Sequence, residues 1–292
     1  MGVLKKIYNF ASSWTGTVLI VLFVIFFVAQ AFVIPSGSMK HSLLPGDFLF
    51  VKKFSYGIPT PHIPWIEKAV LPDFKGNGHL IDGERPKRGD IVVFREPQNP
   101  KIHFVKRNFA VGGDEVIFDL NHFYLRPHEG DEFIEKNYDK NDIVTLMGQK
   151  FVKEPYKFKG INYNPKSRLN MLAETELALM QNSFSMKPLV VKELGDTVNF
   201  RNMEFNAFYI KIPEDEFFMI GDNRNNSLDS RYWGTVPYKF IVGKPWFIYF
   251  SWTVPENPKI PDYKNDRKIR WERIGRFADT LQTDESLIYE QD

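Results

Sequence analysis

The sequence predicts a mainly β protein: an antiparallel β domain with an inserted β-rich subdomain, preceded by one N-terminal transmembrane helix. Three observations predict it. An uncharged apolar run lies near the N-terminus, and short or alternating apolar segments bounded by Gly, Pro, Asn and Asp fill most of the rest. A stretch rich in charge and turn residues interrupts those segments midway. With 292 residues, 43% of them hydrophobic, the chain can bury a sizeable core. A formal net charge of +2 gives no reason to expect a nucleic-acid partner. Cysteine is absent, which removes a disulfide framework, a thiol nucleophile and a thiolate zinc site.

Taken in order, residues 1–13 carry Lys5 and Lys6, after which no charge appears until Lys40. Residues 14–34, Trp14 to Ile34, are dominated by Val, Leu, Ile and Phe, and about 21 such residues suffice to cross a bilayer as a helix. A cleaved secretory signal has a shorter apolar region ending at small residues, whereas this one runs into Pro35. The two lysines place the N-terminus in the cytoplasm and all that follows residue 35 outside it, and Trp14 suits a membrane interface. Residues 35–113 and 214–254 form the β domain. Expected strands are Phe48–Lys52, Ile91–Phe94, Ile102–Ala110, Glu115–Phe118, Thr197–Phe200, Ala207–Ile212, Phe217–Ile220 and Trp246–Phe250. Residues 114–213 form the inserted cap, within which Arg168 to Gln181 has helical periodicity with Ser167 as N-cap. In the charged tail, residues 255–292, Ile274, Phe277, Ala278 and Leu281 share one helical face flanked by Arg270, Arg273 and Arg276. That face either touches lipid headgroups or packs a short terminal helix on the body.

Three segments can carry chemistry. Ser38 lies in a Ser/Gly turn between Pro35 and Pro45, just past the apolar run, where a reaction would meet substrates emerging from the bilayer. A serine hydroxyl needs a base. The six histidines show no H-E-x-x-H pattern, no G-x-S-x-G elbow frames Ser38, and the S-x-x-K spacing fails because Met39 follows Ser36 and His41 follows Ser38 at that distance. Lysine serves as base if an apolar setting lowers its pKa from about 10.4 towards neutrality. Lys106 fits, because strand alternation puts it on one face with Ile102 and Phe104 while Arg107 points with Val105. The plainer reading is an edge-strand lysine whose amine reaches water. The third segment runs from Gly221 to Arg231, and its Ser227 is placed to orient an amine while Asp229 and Arg231 pair to stiffen the loop. A purely structural loop remains open.

In this order the segments resemble bacterial signal peptidase I, the leader peptidase family of Ser/Lys-dyad endopeptidases. The resemblance rests on Pro35-Ser36-Gly37-Ser38-Met39 with Leu43, on Lys87 to Phe94, on Lys106-Arg107, and on Gly221-Asp222-Asn223-Arg224 with Asp229-Ser230-Arg231. It covers the anchor and the β core and leaves residues 114–213 unmatched. It implies that Ser38 attacks the scissile carbonyl, Lys106 is the general base, Ser227 orients Lys106, and the Ser38 N–H and Ser36 hydroxyl hold the oxyanion. It further implies cleavage of secreted precursors after small residues in an Ala-x-Ala-like pattern, at the bacterial inner membrane, with the catalytic domain on the periplasmic side. The partners are then signal-peptide-bearing precursors and membrane lipid, with no cofactor, no metal and no nucleic acid. His41-Ser42 stands where Pro-Thr is common, Asn225 where aspartate is frequent, and Phe104 where tyrosine is common. The competing readings are a Ser/Lys peptidase specialised for one substrate, a self-cleaving repressor relative, and an inactive membrane-tethered peptide-binding module. The repressor relative would need a DNA-binding domain in place of the span.

Overall fold

The computed structural model describes residues 2–63, 66, 68–254 and 267–282. Period-two burial organises the body. Along Asp47–Lys52 side chains alternate between buried and half-buried, while Ile91–Arg95, in mid-sheet, is buried at every position. A seven-stranded sheet runs Ala29–Val33, Asp47–Lys52, Ile241–Ser251, Ile91–Arg95, His103–Val111, Glu216–Ile220, Val236–Pro237, with antiparallel pairing throughout. A six-stranded antiparallel sheet runs Lys187–Leu189, Ala207–Lys211, Glu115–Phe118, Phe123–Arg126, Gln149–Lys153, Ile143–Leu146.

The chain leaves the first sheet after Val111 and re-enters it at Glu216, so the second sheet is threaded between two strands that pair with each other. The crossing is closed by Gly113 N to Ile212 O, 2.9 Å, and Ile212 N to Asp114 O, 2.8 Å. Gly113 takes φ 85°, which a side chain would resist, and the buried Asp114 carboxylate accepts from Val111 N and His128 N. The sheets share a core: Phe109, Phe218 and Ile220 of the first pack with Phe118, Phe123 and Leu125 of the second and with Met171 of the helix Arg168–Met180. A separate core of Leu43, Leu49, Val51, Ile91, Val93 and Ile248 lies behind the turn that carries Ser38.

Several expectations change. The apolar N-terminal run is two helices, α1 (Gly2–Ala11) and α2 (Trp14–Phe23), the second continuing as a π-helical turn through Val28. Ala29–Val33 then pairs with Asp47–Lys52 as a strand, so the stretch expected to span up to Ile34 leaves helix at Val28. Both parts are uncharged, and the backbone partners of the strand distinguish them. No single described helix is long and apolar enough to cross a membrane, but Gly2–Ala11 with Trp14–Val28, bent by 81°, passes by length and composition. The ten residues of α2 and five of the π turn measure roughly 22 Å, against about 30 Å of hydrocarbon.

Ser167 makes no side-chain cap; Asn164 accepts from Lys166 N one turn earlier, in the 3-10 segment Pro165–Ser167. The strand expected from Trp246 begins at Ile241, with Pro245 beside a register shift that excuses its missing donor. Among its described residues the tail forms no continuous amphipathic helix. Trp271–Arg273 is a 3-10 turn and Ala278–Leu281 one helical turn, and Arg273 is buried against Asp47 rather than facing headgroups. Residues 255–266 and 283–292 of that tail lie outside the described residues.

Candidate active site

The Ser38 turn is fixed from both sides before its chemistry begins. Ile34 N donates to Asp47 O and Gly46 N to Ile34 O, which ties the strand end to the sheet. The 3-10 turn Gly37–Met39 then drives Met39, 1% exposed, into the core beside Leu43. Ser38 is left half-buried at the turn's crest. From another strand of the same sheet, Lys106, opposite Val92 in the His103–Val111 strand, extends its amine to within 2.6 Å of Ser38 Oγ. These two residues stand 68 apart in sequence.

Lys106 is 3% exposed. Burial lowers its pKa from 10.5 to about 8, partly opposed by the fields of Asp229 and Asp222. Neither carboxylate makes a hydrogen bond to it, because each is already taken. Asp222 holds Arg107 through Nε at 2.7 Å and Nη2 at 2.6 Å and accepts from Ser42 Oγ. Asp229 holds Arg231 through Nε at 2.8 Å and Nη2 at 2.9 Å. Burial pushes the Asp222 carboxyl up, but the Arg107 charge and hydrogen bonds hold it below the ordinary carboxylate value. The Phe104 ring, 5.3 Å from the Lys106 amine, supplies part of the apolar wall.

Arg231 also donates to Arg224 O at 2.7 Å and Ser227 O at 3.2 Å, so the Asp229–Arg231 pair staples the polar loop from within. Gly221 N donates to Asp229 Oδ2 at 3.2 Å. A Cβ at Gly221 would stand 2.2 Å from Ser227 Oγ and 2.6 Å from Ser38 O, so Ser227 and the nucleophile turn meet across a glycine. The Ser227 hydroxyl is buried and has no hydrogen-bond partner among the described residues, hence none to Lys106. Ser36 is exposed, its hydroxyl 3.5 Å from Ser38 Oγ.

Sequence reasoning passed over a further layer. Asn223 N donates to Ser38 O at 3.1 Å and Asn223 Nδ2 to Gly37 O at 3.1 Å, clamping the turn to the polar loop. Asn162, in the segment between the sheets' strands, donates from Nδ2 to Lys40 O and exchanges backbone bonds with Asp222 and Arg224. The only local signal was the turn-rich run Gly160-Ile161-Asn162-Tyr163-Asn164-Pro165. The unusual residues find places here too. His41 adopts φ 81°, Ser42 binds Asp222, and Asn225 Nδ2 donates to Asn164 O at 3.1 Å. Among the described residues one acidic and histidine grouping, Asp114, His128 and Glu129, has ligand atoms within 4.8 Å of one another. Arg88 already bonds both of its carboxylates, so a cation there would have to displace a guanidinium.

Residues 7–252 match the family described as signal peptidase, peptidase S26. The chain is 50% identical over 290 residues to signal peptidase I of Helicobacter pylori strain 26695, and 49% to that of strain J99, covering 97% of each chain. Against signal peptidase I of Aquifex aeolicus the identity is 31% over 250 residues, 82% of either chain. A solved signal peptidase I from Enterococcus faecalis V583 shares 20% identity at a TM-score of 0.25, over 55% of this chain and 97% of that one. With the match extending over most of its length and relatives half identical from end to end, this chain belongs to the signal peptidase family, peptidase S26.

Proposed function

We propose that this signal-peptide-cleaving serine endopeptidase works through Ser38 as nucleophile and Lys106 as general base. The observation that carries the reading is the 2.6 Å contact between Ser38 Oγ and a lysine whose burial lowers its pKa to about 8. At that value a useful fraction of the amine is neutral near pH 7, and a base poised near the working pH is the most effective kind. The neutral amine takes the Ser38 proton as Oγ adds to the scissile carbonyl. The resulting oxyanion is received by the Ser38 N–H and the Ser36 hydroxyl, a type of donor worth roughly 100- to 1,000-fold in rate. Lys106 returns the proton to the leaving amine, and water, deprotonated by the same lysine, releases the acyl chain from Ser38.

Ser227 supports this cycle as an orienting hydroxyl. A buried oxygen beside Gly221, without a partner among the described residues, supports that role. The Asp229–Arg231 pair holds the loop that carries it. The substrates are signal-peptide-bearing precursors, cut after small residues. Residues 35–113 with 214–254 form the catalytic domain, residues 114–213 an inserted subdomain, and the N-terminal segment through Val28 the anchor, with its N-terminus cytoplasmic. The decisive experiment is cleavage of a detergent-solubilised secretory precursor by wild type, Ser38→Ala and Lys106→Ala, with folding followed by circular dichroism. Wild type should cut after a small residue while both folded variants do not. A folded Lys106→Ala that still cuts removes the lysine from the mechanism.

A further inference from the structure

Helix α1 stands apart from the body. None of its residues is buried, and Leu4, Ile7 and Phe10 are 78%, 58% and 52% exposed. Its sequence is nonetheless two-sided. At 100° per residue Val3, Leu4, Ile7, Tyr8, Phe10 and Ala11 fall on one side, and Lys5, Lys6 and Asn9 on the other. The helix leaves the axis of Trp14–Val28 at 81°.

The corner is built rather than incidental. Ser13 Oγ accepts from Gly16 N at 3.1 Å and donates to Phe10 O at 2.6 Å, and Thr17 Oγ1 donates to Ala11 O at 3.1 Å. A Cβ on Gly16 would come within 1.8 Å of Phe10 O, so the close approach of the two helices at the bend requires glycine.

The geometry points to α1 as an interfacial helix that lies in the plane of the bilayer, with its apolar side in the acyl boundary and Lys5 and Lys6 against anionic headgroups. This rests on the reading of Trp14–Val28 as the anchor. Lipid is favoured as the occupant by continuity, because the apolar side runs within two residues into the uncharged helix that would span. It is favoured also by charge, because both cations of the helix lie on the side turned from the apolar residues. A right-angle corner serves a short span. With α2 and its π turn measuring roughly 22 Å, an in-plane helix stops the span at one face. At the other, Val28 passes without a linker into the strand that leads to Ser38. The depth of α1 then sets the height of the nucleophile above the membrane.

The absence of cysteine allows a clean test. Single cysteines placed in turn at Val3 to Ala11 of the full chain are spin-labelled in nanodiscs of phosphatidylcholine with or without phosphatidylglycerol, and access to oxygen is compared with access to a nickel chelate. Labels at Leu19 and Leu22 report on the span separately. Labels at Leu4, Ile7 and Ala11 should favour oxygen at one common depth, while those at Lys5, Lys6 and Asn9 favour the chelate. With Lys5→Glu and Lys6→Glu together, the immersed fraction should fall at least tenfold in anionic discs and hold in neutral ones. Depth that grows steadily along the helix, or chelate access at every position, overturns the in-plane helix. An unchanged immersed fraction after charge reversal overturns the headgroup contact. Gly16→Ala should abolish the common depth, and its persistence overturns the role of the corner. Chelate access at Leu19 and Leu22 instead defeats the anchor reading on which the proposal stands.

Discussion

The two sheets of the molecule bury different things. In the strands of the six-stranded sheet every buried side chain is apolar or is Tyr124, whose hydroxyl reaches Asp119. The seven-stranded sheet buries Asp47, Arg95, Lys106, Arg107 and Asn108, and the loop leaving it buries Asp222, Asp229 and Arg231. Buried charge is expensive unless paired, and most of this charge is paired with opposite charge: Arg107 with Asp222, Arg231 with Asp229, and Asp47 with Arg273 of the tail. Lys106 differs from its sequence neighbour in this respect. Arg107 turns to a carboxylate on one side of the strand, while Lys106 turns to a serine hydroxyl on the other. The second sheet is built for packing alone, and the first tolerates a group that folding would do better without.

The sharpest way to break that contrast is to replace the lysine with an apolar side chain of similar length. Lys106→Met should lower kcat/KM by roughly 1,000-fold or more, as loss of an essential base does. It should also raise stability. Folding lowers the lysine pKa from 10.5 to about 8, so the unfolded chain holds the proton more tightly. The resulting destabilisation is fully present below about pH 8 and fades as pH rises to 10.5. Removing it at pH 7 should add on the order of 1–3 kcal/mol, read from urea unfolding. A variant that is both inactive and less stable would show that Lys106 is a structural cation rather than a strained base.

Asp222→Ala and Phe151→Ala probe the two sheets at comparable cost in stability. The first leaves the Arg107 guanidinium buried without its partner, a loss of about 3–5 kcal/mol, and frees Ser42 and the nucleophile turn, so activity should fall with stability. Phe151 is fully buried among Ile117, Tyr124 and Leu146 on the second sheet, and truncation should likewise cost about 3–5 kcal/mol. Activity per folded molecule should nevertheless stay within about twofold, since no group of the dyad touches that cluster. Equal losses of activity from both would mean that the second sheet participates in chemistry.

The pH profile sharpens the same point more gently. With the base protonated below about pH 8, log kcat/KM should fall by about one unit per pH unit on the acid side and level off above it. A profile flat down to about pH 5 would exclude an amine base.

How much of this was legible in the sequence follows from how local each feature is. Glu115–Phe118 stands as read, and Asp47–Lys52, Ile91–Arg95 and Glu216–Ile220 differ from the expected strands by a residue, because apolar residues within the strand itself mark them. Ala29–Val33 was hidden because it continues the uncharged run of the helix before it with no turn residue between the two. Phe123–Arg126 and Gln149–Lys153, no shorter than strands that were read, were missed because they lie in the stretch rich in charge and turn residues, where Arg126, Lys150 and Lys153 break the apolar runs. Ser38 and Lys106 were marked locally by a Ser/Gly turn and by an apolar strand face, but their pairing came only from the resemblance to a known family, since nothing within either segment announces a partner 68 residues away. The Asn162 clamp carried no motif at all. Two of its bonds, to Asp222 and Arg224, are main-chain bonds that side-chain identity does not encode, and the one from Nδ2 to Lys40 O needs the asparagine.

The smallest expected effect is the most informative about the loop that joins these parts. Ser227 carries a buried hydroxyl without a partner among the described residues, and such a group costs about 1–3 kcal/mol when nothing satisfies it. Ser227→Ala removes that cost, so if the hydroxyl were idle the variant would be more stable and equally active. If it steadies the Lys106 amine during proton transfer, kcat should drop roughly tenfold, KM should hardly move, and the acid limb of the pH profile should shift as the lysine loses a hydrogen-bonding neighbour. Ser227→Thr, which restores the hydroxyl against the crowding at Gly221, should recover part of kcat. A split in which stability rises while kcat falls marks a hydroxyl kept for chemistry at the expense of the fold, and would place Ser227 with Lys106 rather than with the paired charges around it.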